Sequence, residues 1–224
     1  MQTAKAPFVT YDSSLLDHLS VGVDSTRVAT AVRIASVLFV TALTAAAAQM
    51  SIPLPFTPVP FTFQPMIVLI GGAALGARLG ATSQILYLAL GAAGVQAFAQ
   101  SPVLPQGFAR LLGPTGGFLL AYPIAAFLTG WLAERGLDRR YLTSVLAMLA
   151  GLVVYFIGGV AWLAWLSPGI PGHAGAVGLA AALNAAFYPF VLADLGKVLF
   201  AAAVLPTVWG VVGSAGRPKI KKYW

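Results

Sequence analysis

The chain has 224 residues, of which 59% are hydrophobic and only 8% are charged, with a mean hydropathy of +0.87. A soluble domain averages roughly 45–50% apolar and about 25% charged residues, so this composition excludes an ordinary water-facing surface. The sequence contains no cysteine, which excludes disulfides, thiolate metal sites and cysteine nucleophiles. The net charge of +7 is typical of a nucleic-acid-binding protein, but the positions of the basic residues give it another meaning.

The N-terminal segment, residues 1–25, does not resemble a signal peptide, because it contains three aspartates and lacks a basic start followed by an apolar run. The sequence from Ser13 to Leu19 predicts either a short amphipathic helix on the membrane surface or an ordinary N-terminal tail. We therefore divide the chain into this segment, a membrane domain at 26–213 and a basic tail at 214–224.

Six apolar segments follow, each close to the length of a transmembrane helix, which needs about 20 mostly apolar residues. The predicted spans are Arg27–Met50, Phe61–Gly76, Ala81–Phe98, Gly116–Ala133, Tyr141–Leu166 and Pro189–Val212. Because Pro189 lacks an amide hydrogen and interrupts the last apolar segment, we expect a separate short helix at Ala176–Phe187. The predicted fold is an all-α integral membrane protein with six transmembrane helices.

The basic residues orient these spans. With the N-terminus in the cytoplasm, the inner segments contain 11 of the 13 Lys and Arg residues, the outer loops contain only Arg110, and Lys197 lies inside a span. Cytoplasmic loops of membrane proteins carry an excess of Lys and Arg. The pattern therefore predicts that both termini are cytoplasmic, and it gives no reason to expect nucleic-acid binding.

Small residues recur at helical spacing inside the spans, at Ala31 and Ala35 and at Gly72, Gly76 and Gly80. In lipid, such spacing lets helix backbones approach closely, where no hydrophobic effect drives helices together. We expect most of these residues to lie at contacts within the bundle.

Asp194 is the only acidic residue inside a predicted span, and Lys197 follows three positions later on the same helix face. Burying a charge in hydrocarbon costs on the order of several kcal/mol, so such residues usually face a cavity or a partner. The pair predicts a polar ligand site. The alternative is a self-contained ion pair that only pins the helix.

The segment Ser51–Phe61 joins the first two predicted spans on the outer side and has four prolines among eleven residues. Proline stiffens an extended chain and removes amide donors that would otherwise need water. We interpret this segment as a lid over a ligand cavity, with simple packing on the helix ends as the alternative. The lid residues are Pro53, Pro55, Phe56, Thr57, Pro58 and Pro60.

Arg110 precedes a glycine-rich sequence that leads into the fourth predicted span. A guanidinium group presents a planar fork suited to a carboxylate, and free backbone amides at a helix start favour anionic or carbonyl oxygens. Gly113, Thr115 and Gly116 are therefore candidate ligand contacts, although glycine-rich helix starts are common.

Several catalytic motifs are missing from the sequence. Gly196-Lys197 lacks the upstream glycine and the following hydroxyl residue of a G-x-x-x-x-G-K-[ST] phosphate loop. No histidine falls inside a predicted span and no H-E-x-x-H sequence occurs, which argues against an intramembrane serine or zinc protease. The sequence predicts no enzymatic activity, no metal site and no cofactor.

Three motifs resemble those of one family. Ile52–Gln64 resembles the proline-rich first loop of BioY proteins, Leu112–Phe118 resembles their G-P-T-G-G-[YF] signature, and Pro189–Lys197 resembles their P-F-x-x-x-D-x-x-K sequence. BioY proteins are the biotin-specific S components of energy-coupling-factor (ECF) transporters. The resemblance covers roughly Ala29–Val212 in order and leaves out the N-terminal segment and the basic tail.

The resemblance implies a six-helix S-component bundle in the cytoplasmic membrane of a prokaryote, with biotin bound near the outer surface beneath the first loop. The implied partners are the lipid bilayer, a transmembrane coupling subunit and two ATPase subunits, although some BioY proteins are thought to work without a dedicated set. Ala31 and Ala35 resemble the A-x-x-x-A face by which S components contact the coupling subunit.

The resemblance also implies roles for single residues. Biotin offers a carboxylate, an apolar tail and ring, and a ureido group with two N–H donors and one acceptor. Lys197 and Arg110 are the cations available to the carboxylate. Asp194 can accept from a ureido N–H, and Gln64 or Gln96 can meet the remaining donors and acceptor. The candidates for the apolar wall are Phe61, Phe63, Tyr122, Phe187, Tyr188 and Phe190.

Three hypotheses follow. The leading one is biotin uptake by a substrate-binding S component. The second is an autonomous, proton-coupled secondary transporter of a small carboxylate vitamin, in which Asp194 and Lys197 relay the proton. The third is a membrane assembly protein in which this pair is purely structural.

Overall fold

A computed structural model describes residues 14–19, 26–102, 104–168 and 175–215 of the chain. Most of the predicted N-terminal segment and nearly all of the basic tail lie outside these residues. The helices are α1 (Leu15–Leu19), α2 (Thr26–Gln49), α3 (Gln64–Leu75), α4 (Ala77–Ala92), α5 (Ala109–Leu112), α6 (Gly116–Leu132), α7 (Tyr141–Ala161), α8 (Leu179–Ala186) and α9 (Val191–Ala215). Helix α7 continues into a wider π-helical turn at Trp162–Leu166, whereas the extension of α6 at Ala133–Leu137 is interrupted at Gly136, whose φ of 85° is left-handed.

Four helical segments in the described ranges are long and apolar enough to cross a membrane. They are Thr26–Gln49, Gly116–Leu137, Tyr141–Leu166 and Val191–Val211, and they correspond to the first, fourth, fifth and sixth predicted spans. The chain also breaks between α8 and α9 at residues 187–190, around Pro189, as the sequence predicts.

The second and third predicted spans form helices that are shorter than expected. Helix α3 has 12 residues, which is about 18 Å at 1.5 Å per residue, against a hydrocarbon core of about 30 Å. Helix α4 ends at Ala92 instead of continuing to Phe98. The chain turns at Gly94, whose φ of 95° lies in the left-handed region that only glycine adopts easily.

Helix α6 lies at the centre of the bundle and packs against α3, α4 and α7. Its contacts with α3 and α4, and the contact between α3 and α4, are backbone to backbone. A Cβ atom on Gly72 would collide with the carbonyl oxygen of Ala126, and one on Gly80 would lie 2.7 Å from the Cα of Gly72. A Cβ on Gly130 would lie 2.5 Å from the carbonyl carbon of Gly76. The predicted packing role of the glycine series is therefore confirmed.

Helix α1 packs on α3 at the end of the bundle where α3 meets α4. Leu15 is buried in the main core, and Leu16 is buried against Val40 and Leu75. The sequence predicts a helix on the membrane surface or a tail for this segment. The short helix of the first alternative is present, and burial against the protein removes the two leucine side chains from water without the bilayer.

The connection between α6 and α7 holds the last helix at this same end. The Trp209 indole donates a hydrogen bond of 2.6 Å to the Oδ2 of Asp138, and the Arg139 guanidinium lies 3.5 Å from the Trp209 ring centroid. Burial raises the pKa of the Asp138 carboxyl, while the Trp209 hydrogen bond and the Arg139 charge oppose that rise. The last helix is thus tied to the bundle by a polar contact as well as by apolar packing.

Replacing Gly72 with alanine should destabilise the fold, because the added methyl group meets the backbone of Ala126, which cannot rotate away. We expect the free energy of unfolding to fall by about 1–3 kcal/mol. The matched control is Gly210→Ala, since a Cβ there meets nothing within 4 Å. It should be neutral or stabilise α9 by up to about 1 kcal/mol. Equal effects of the two substitutions on detergent-solubilised protein would contradict the backbone contact.

Candidate functional site

A small cavity lies beneath the Ser51–Phe61 loop, where α3 and α6 begin. It has a volume of about 30 Å³. Small-molecule pockets usually measure about 300–1,000 Å³, so the cavity has room for a few water molecules at most. The lining residues are Val59, Pro60, Thr62, Gln64, Phe98, Ala99, Arg110, Thr115, Phe118, Leu119, Tyr122 and Tyr155. A ligand with a ring and a side chain requires this end of the bundle to open.

Arg110 is the largest fully buried side chain of the described residues, with 1% of its surface exposed. Its guanidinium donates to the carbonyl oxygens of Ala99 at 2.9 Å and Pro105 at 3.4 Å. Among the described residues, no carboxylate lies within ion-pair distance of it. Burial lowers the pKa of Arg110 to about 10, so the group still carries its charge at neutral pH. The cavity therefore contains a buried cation whose hydrogen-bond partners among the described residues are all neutral.

Two further polar groups lie at the cavity. Gln64 donates from Nε2 to the Tyr87 hydroxyl at 2.6 Å. The Thr115 hydroxyl is buried and has no hydrogen-bond partner in the described part of the chain. A buried polar atom without a partner costs about 1–3 kcal/mol, so Thr115 has hydrogen-bonding capacity to offer a ligand.

The glycine-rich sequence holds Thr115 in position. Trp162 donates from its indole nitrogen to the Gly113 carbonyl at 2.9 Å. A Cβ on Gly116 would collide with the carbonyl oxygen of Leu111, so only glycine fits at the start of α6. The sequence signature thus acts through close packing, which fixes the backbone around the Thr115 hydroxyl.

Asp194 and Lys197 form a buried ion pair with 2.6 Å between Oδ1 and Nζ. Lys197 also donates to the Thr62 carbonyl at 2.6 Å, and its ammonium lies 3.7 Å from the centroid of the Phe61 ring. The ring face of Phe61 adds a cation–π attraction. Lys197 is therefore electrostatically balanced, and Thr62 connects the pair to the cavity.

The Ser51–Phe61 loop is closed by hydrogen bonds. Ile52 and Phe61 exchange two backbone hydrogen bonds of 2.9 Å, which bring the ends of the loop together. At its tip, the Thr57 hydroxyl donates to the Ala185 carbonyl of α8 at 2.5 Å. Val59 is 5% exposed and faces the cavity, whereas Phe56 is 66% exposed. The loop covers the cavity and is fastened to a helix more than 120 positions away in the chain.

The structure brings together only some of the predicted site residues. Gln64, Arg110, Thr115 and Tyr122 line the cavity, and the Asp194–Lys197 pair with Phe61 and Phe63 lies next to it. The remaining candidates lie elsewhere. Gln96 and Tyr188 have exposed side chains, Phe187 packs on Phe156, Phe190 is buried in the core, and Ala31 and Ala35 lie on an exposed face of α2.

Sequence reasoning missed several aromatic residues of the site. Phe98, Phe118 and Tyr155 line the cavity, and the Tyr155 ring stacks on Tyr122 with 5.9 Å between centroids. Tyr87 reaches it through Gln64. Tyr87 and Tyr155 carried a usable signal, because a hydroxyl inside an apolar span needs a partner. Within the described ranges, no group of three or more His, Asp or Glu side chains is placed to hold a metal ion.

Comparisons with known proteins agree with one another. The model of the family described as BioY matches residues 21–214. "Probable biotin transporter BioY" of Pyrococcus horikoshii is 38% identical over 173 residues, covering 77% of this chain and 93% of that protein. "Biotin transporter BioY" of Thermotoga maritima is 34% identical over 164 residues, covering 73% of this chain and 88% of that protein.

A solved structure has the same fold. It is described as the S-component for biotin from an ECF-type ABC transporter, and it matches with a TM-score of 0.71 at 23% sequence identity. The match covers 83% of this chain and 95% of the other.

Proposed function

The chain belongs to the BioY family, and on that premise we propose that it takes up biotin as the substrate-binding S component of an ECF-type transporter. Its relatives carry the name of biotin transporters, and its fold is that of an S component. In this role the chain binds the vitamin, and partner subunits supply the energy.

The observation that carries the proposal is the buried charge of Arg110. A buried cation whose neighbours are all neutral is costly unless an anion joins it. The carboxylate of biotin supplies that anion, and a planar guanidinium suits it through two parallel hydrogen bonds. Thr115, on the same cavity wall, adds a buried hydroxyl that has no hydrogen-bond partner among the residues described.

In this proposal the Asp194–Lys197 pair binds the ureido ring of biotin. The Lys197 ammonium at 2.6 Å favours the ionised form of the Asp194 carboxyl, and an ionised carboxylate accepts strongly from the ureido N–H groups. Because Lys197 is already balanced by Asp194 at 2.6 Å, it has less to gain from a second carboxylate than Arg110 has. Tyr122 and Tyr155, whose rings stack between the two polar sites, form the apolar wall.

We further assign the cavity to the outer side of the membrane, beneath the Ser51–Phe61 loop acting as a lid. The short helices α3 and α4 complete the six-helix membrane domain together with the four longer spans. The distribution of Lys and Arg supports cytoplasmic termini. The exposed Ala31 and Ala35 on α2 are available to a transmembrane coupling subunit, which two ATPase subunits would drive.

Removing the Arg110 charge should weaken biotin binding selectively. Arg110→Gln leaves the ligand carboxylate buried without a counter-charge, which we expect to cost about 2–5 kcal/mol. Biotin amide, which lacks that charge, should lose less than about 1 kcal/mol, as for a typical neutral hydrogen bond. Titration of purified protein with both ligands measures the difference. Because retained amide binding reports an intact fold, an equal loss for both ligands would contradict the assignment of the carboxylate to Arg110.

The ion pair requires a separate test, because each single change strands the other charge. Asp194→Asn together with Lys197→Met removes both charges at once. If Asp194 accepts from the ureido ring, the double variant should be stable but bind biotin and biotin amide at least about tenfold more weakly, since charge-assisted hydrogen bonds contribute about 1.5–3 kcal/mol. A stable double variant with full affinity would identify the pair as purely structural.

The lid can be followed with two cysteines in a chain that has none of its own. One replaces Phe56 and the other Val59; both positions belong to the loop, but the Phe56 side chain is exposed and the Val59 side chain is buried against the cavity. An impermeant maleimide on intact cells should label the first quickly and the second slowly, and biotin should slow only the second. Thr57→Val should speed labelling at position 59 by about 2–10-fold, because it removes one hydrogen bond of the closed loop.

Two results would contradict these assignments. An unlabelled cysteine at position 56 would contradict the outer position of the loop. Equal labelling at position 59 with and without biotin would contradict its role as a lid.

The proton-coupled alternative differs in its energy source. As an S component, the chain should take up labelled biotin only in cells that contain the coupling and ATPase subunits, and collapse of the proton gradient at constant ATP should leave uptake unchanged. Uptake that persists without ATPase subunits and stops with the gradient would support a secondary transporter instead.

A further inference from the structure

A second, larger depression lies at the opposite end of the bundle from the cavity. Its volume is about 580 Å³, and it lies between α2, α4 and the end of α6. Three arginines and two acids line it: Arg33, Arg78, Arg135, Asp17 and Glu134. Its remaining lining residues are Leu75, Ala77, Leu79, Phe127 and Trp131. One wall is thus charged and the other is apolar.

The charged wall has an excess of one positive charge. Asp17 balances Arg33 at 3.5 Å. Glu134 is occupied, because its Oε1 accepts the Ala77 amide at 2.9 Å. Arg78 is exposed and has neither a hydrogen bond nor an ion pair from its guanidinium to any described residue. A cation is therefore available here to an incoming anion.

The Arg135 side chain on the same wall is fixed in position by Trp131. Its guanidinium lies 3.4 Å from the centroid of the Trp131 ring and donates to the Trp131 carbonyl at 2.9 Å. A side chain already fixed in place loses little conformational entropy when it binds. The guanidinium also has five N–H donors, and the one Trp131 contact leaves most of them for a phosphate.

The apolar wall points outward from the bundle. Phe127 is 44% exposed and Trp131 is 39% exposed, although both belong to a segment apolar enough to cross a membrane. Tryptophan is enriched at the level of lipid headgroups. An inorganic phosphate would use only the arginines and leave this wall uncovered, whereas acyl chains would cover it.

From these contacts we infer that the depression binds an anionic phospholipid, with its phosphate against Arg78 and Arg135 and its acyl chains along Phe127 and Trp131. The surplus positive charge of the depression matches the anionic headgroup, and its exposed apolar wall matches the acyl chains. Basic pockets between helices are suited to such headgroups. The site is distinct from the proposed biotin site and lies at the other end of α3 and α6.

The test is lipid retention by the full chain in detergent, measured by native mass spectrometry. The wild-type protein should retain phosphatidylglycerol over phosphatidylcholine with the same acyl chains. Arg78→Gln should weaken phosphatidylglycerol retention about fivefold, the effect of about 1 kcal/mol per basic side chain. The matched control is Arg140→Gln, an exposed arginine at the same end that does not line the depression.

Three results would overturn the inference. Equal retention of the two lipids would remove the headgroup preference. Equal effects of Arg78→Gln and Arg140→Gln would indicate general surface charge. Displacement of the lipid by an equal concentration of inorganic phosphate would indicate a free-phosphate site. Because the Arg78 guanidinium is exposed and makes no hydrogen bond or ion pair to any residue that the structure describes, the variant should unfold at the wild-type temperature.

Discussion

The backbone contact between α6 and the α3–α4 hairpin is the constraint on which the rest of the structure depends. Gly72, Gly80 and Gly130 remove the side chains that would separate these helices. In lipid the hydrophobic effect does not drive apolar helices together, so their association depends on van der Waals contacts between closely packed backbones. At this distance the first turns of α3 and α6 stand side by side, which brings Gln64 and Tyr122 to the same cavity.

The two buried cations of the site differ in their electrostatic state. Lys197 has a carboxylate, a carbonyl oxygen and an aromatic face around its ammonium, so it forms a nearly neutral unit with Asp194. Among the residues that the structure describes, the Arg110 guanidinium donates only to carbonyl oxygens. The dipoles of carbonyl groups solvate a cation but leave its charge uncompensated. One end of the site is therefore neutral and rich in hydrogen-bonding groups, while the other end is positive, which is the arrangement that the proposed assignment of the ureido ring and the carboxylate uses.

Local features of the sequence were predictable and distant ones were not. Helical spacing alone places Asp194 beside Lys197, and the chemistry of Pro189 alone separates α8 from α9. The position of Gln96 was not predictable, because it depends on the turn at Gly94, which ends α4 early and leaves that side chain exposed. Tyr155 joins the site only through packing of α7 on α6, a contact that no spacing within α7 reveals.

The closed loop above a cavity of about 30 Å³ has different consequences for the rate of ligand binding and for its affinity. If the loop acts as the proposed lid, biotin enters only while the loop is open, and its apparent affinity is the intrinsic affinity multiplied by the open fraction. The Thr57–Ala185 hydrogen bond lowers that fraction before binding, and the same bond retards escape after the loop has closed. In that role the loop would set an upper limit on the association rate and would also slow dissociation of the ligand. Because the opening that admits the ligand also lets it escape, a partner subunit of the proposed transporter would speed release by holding the loop open.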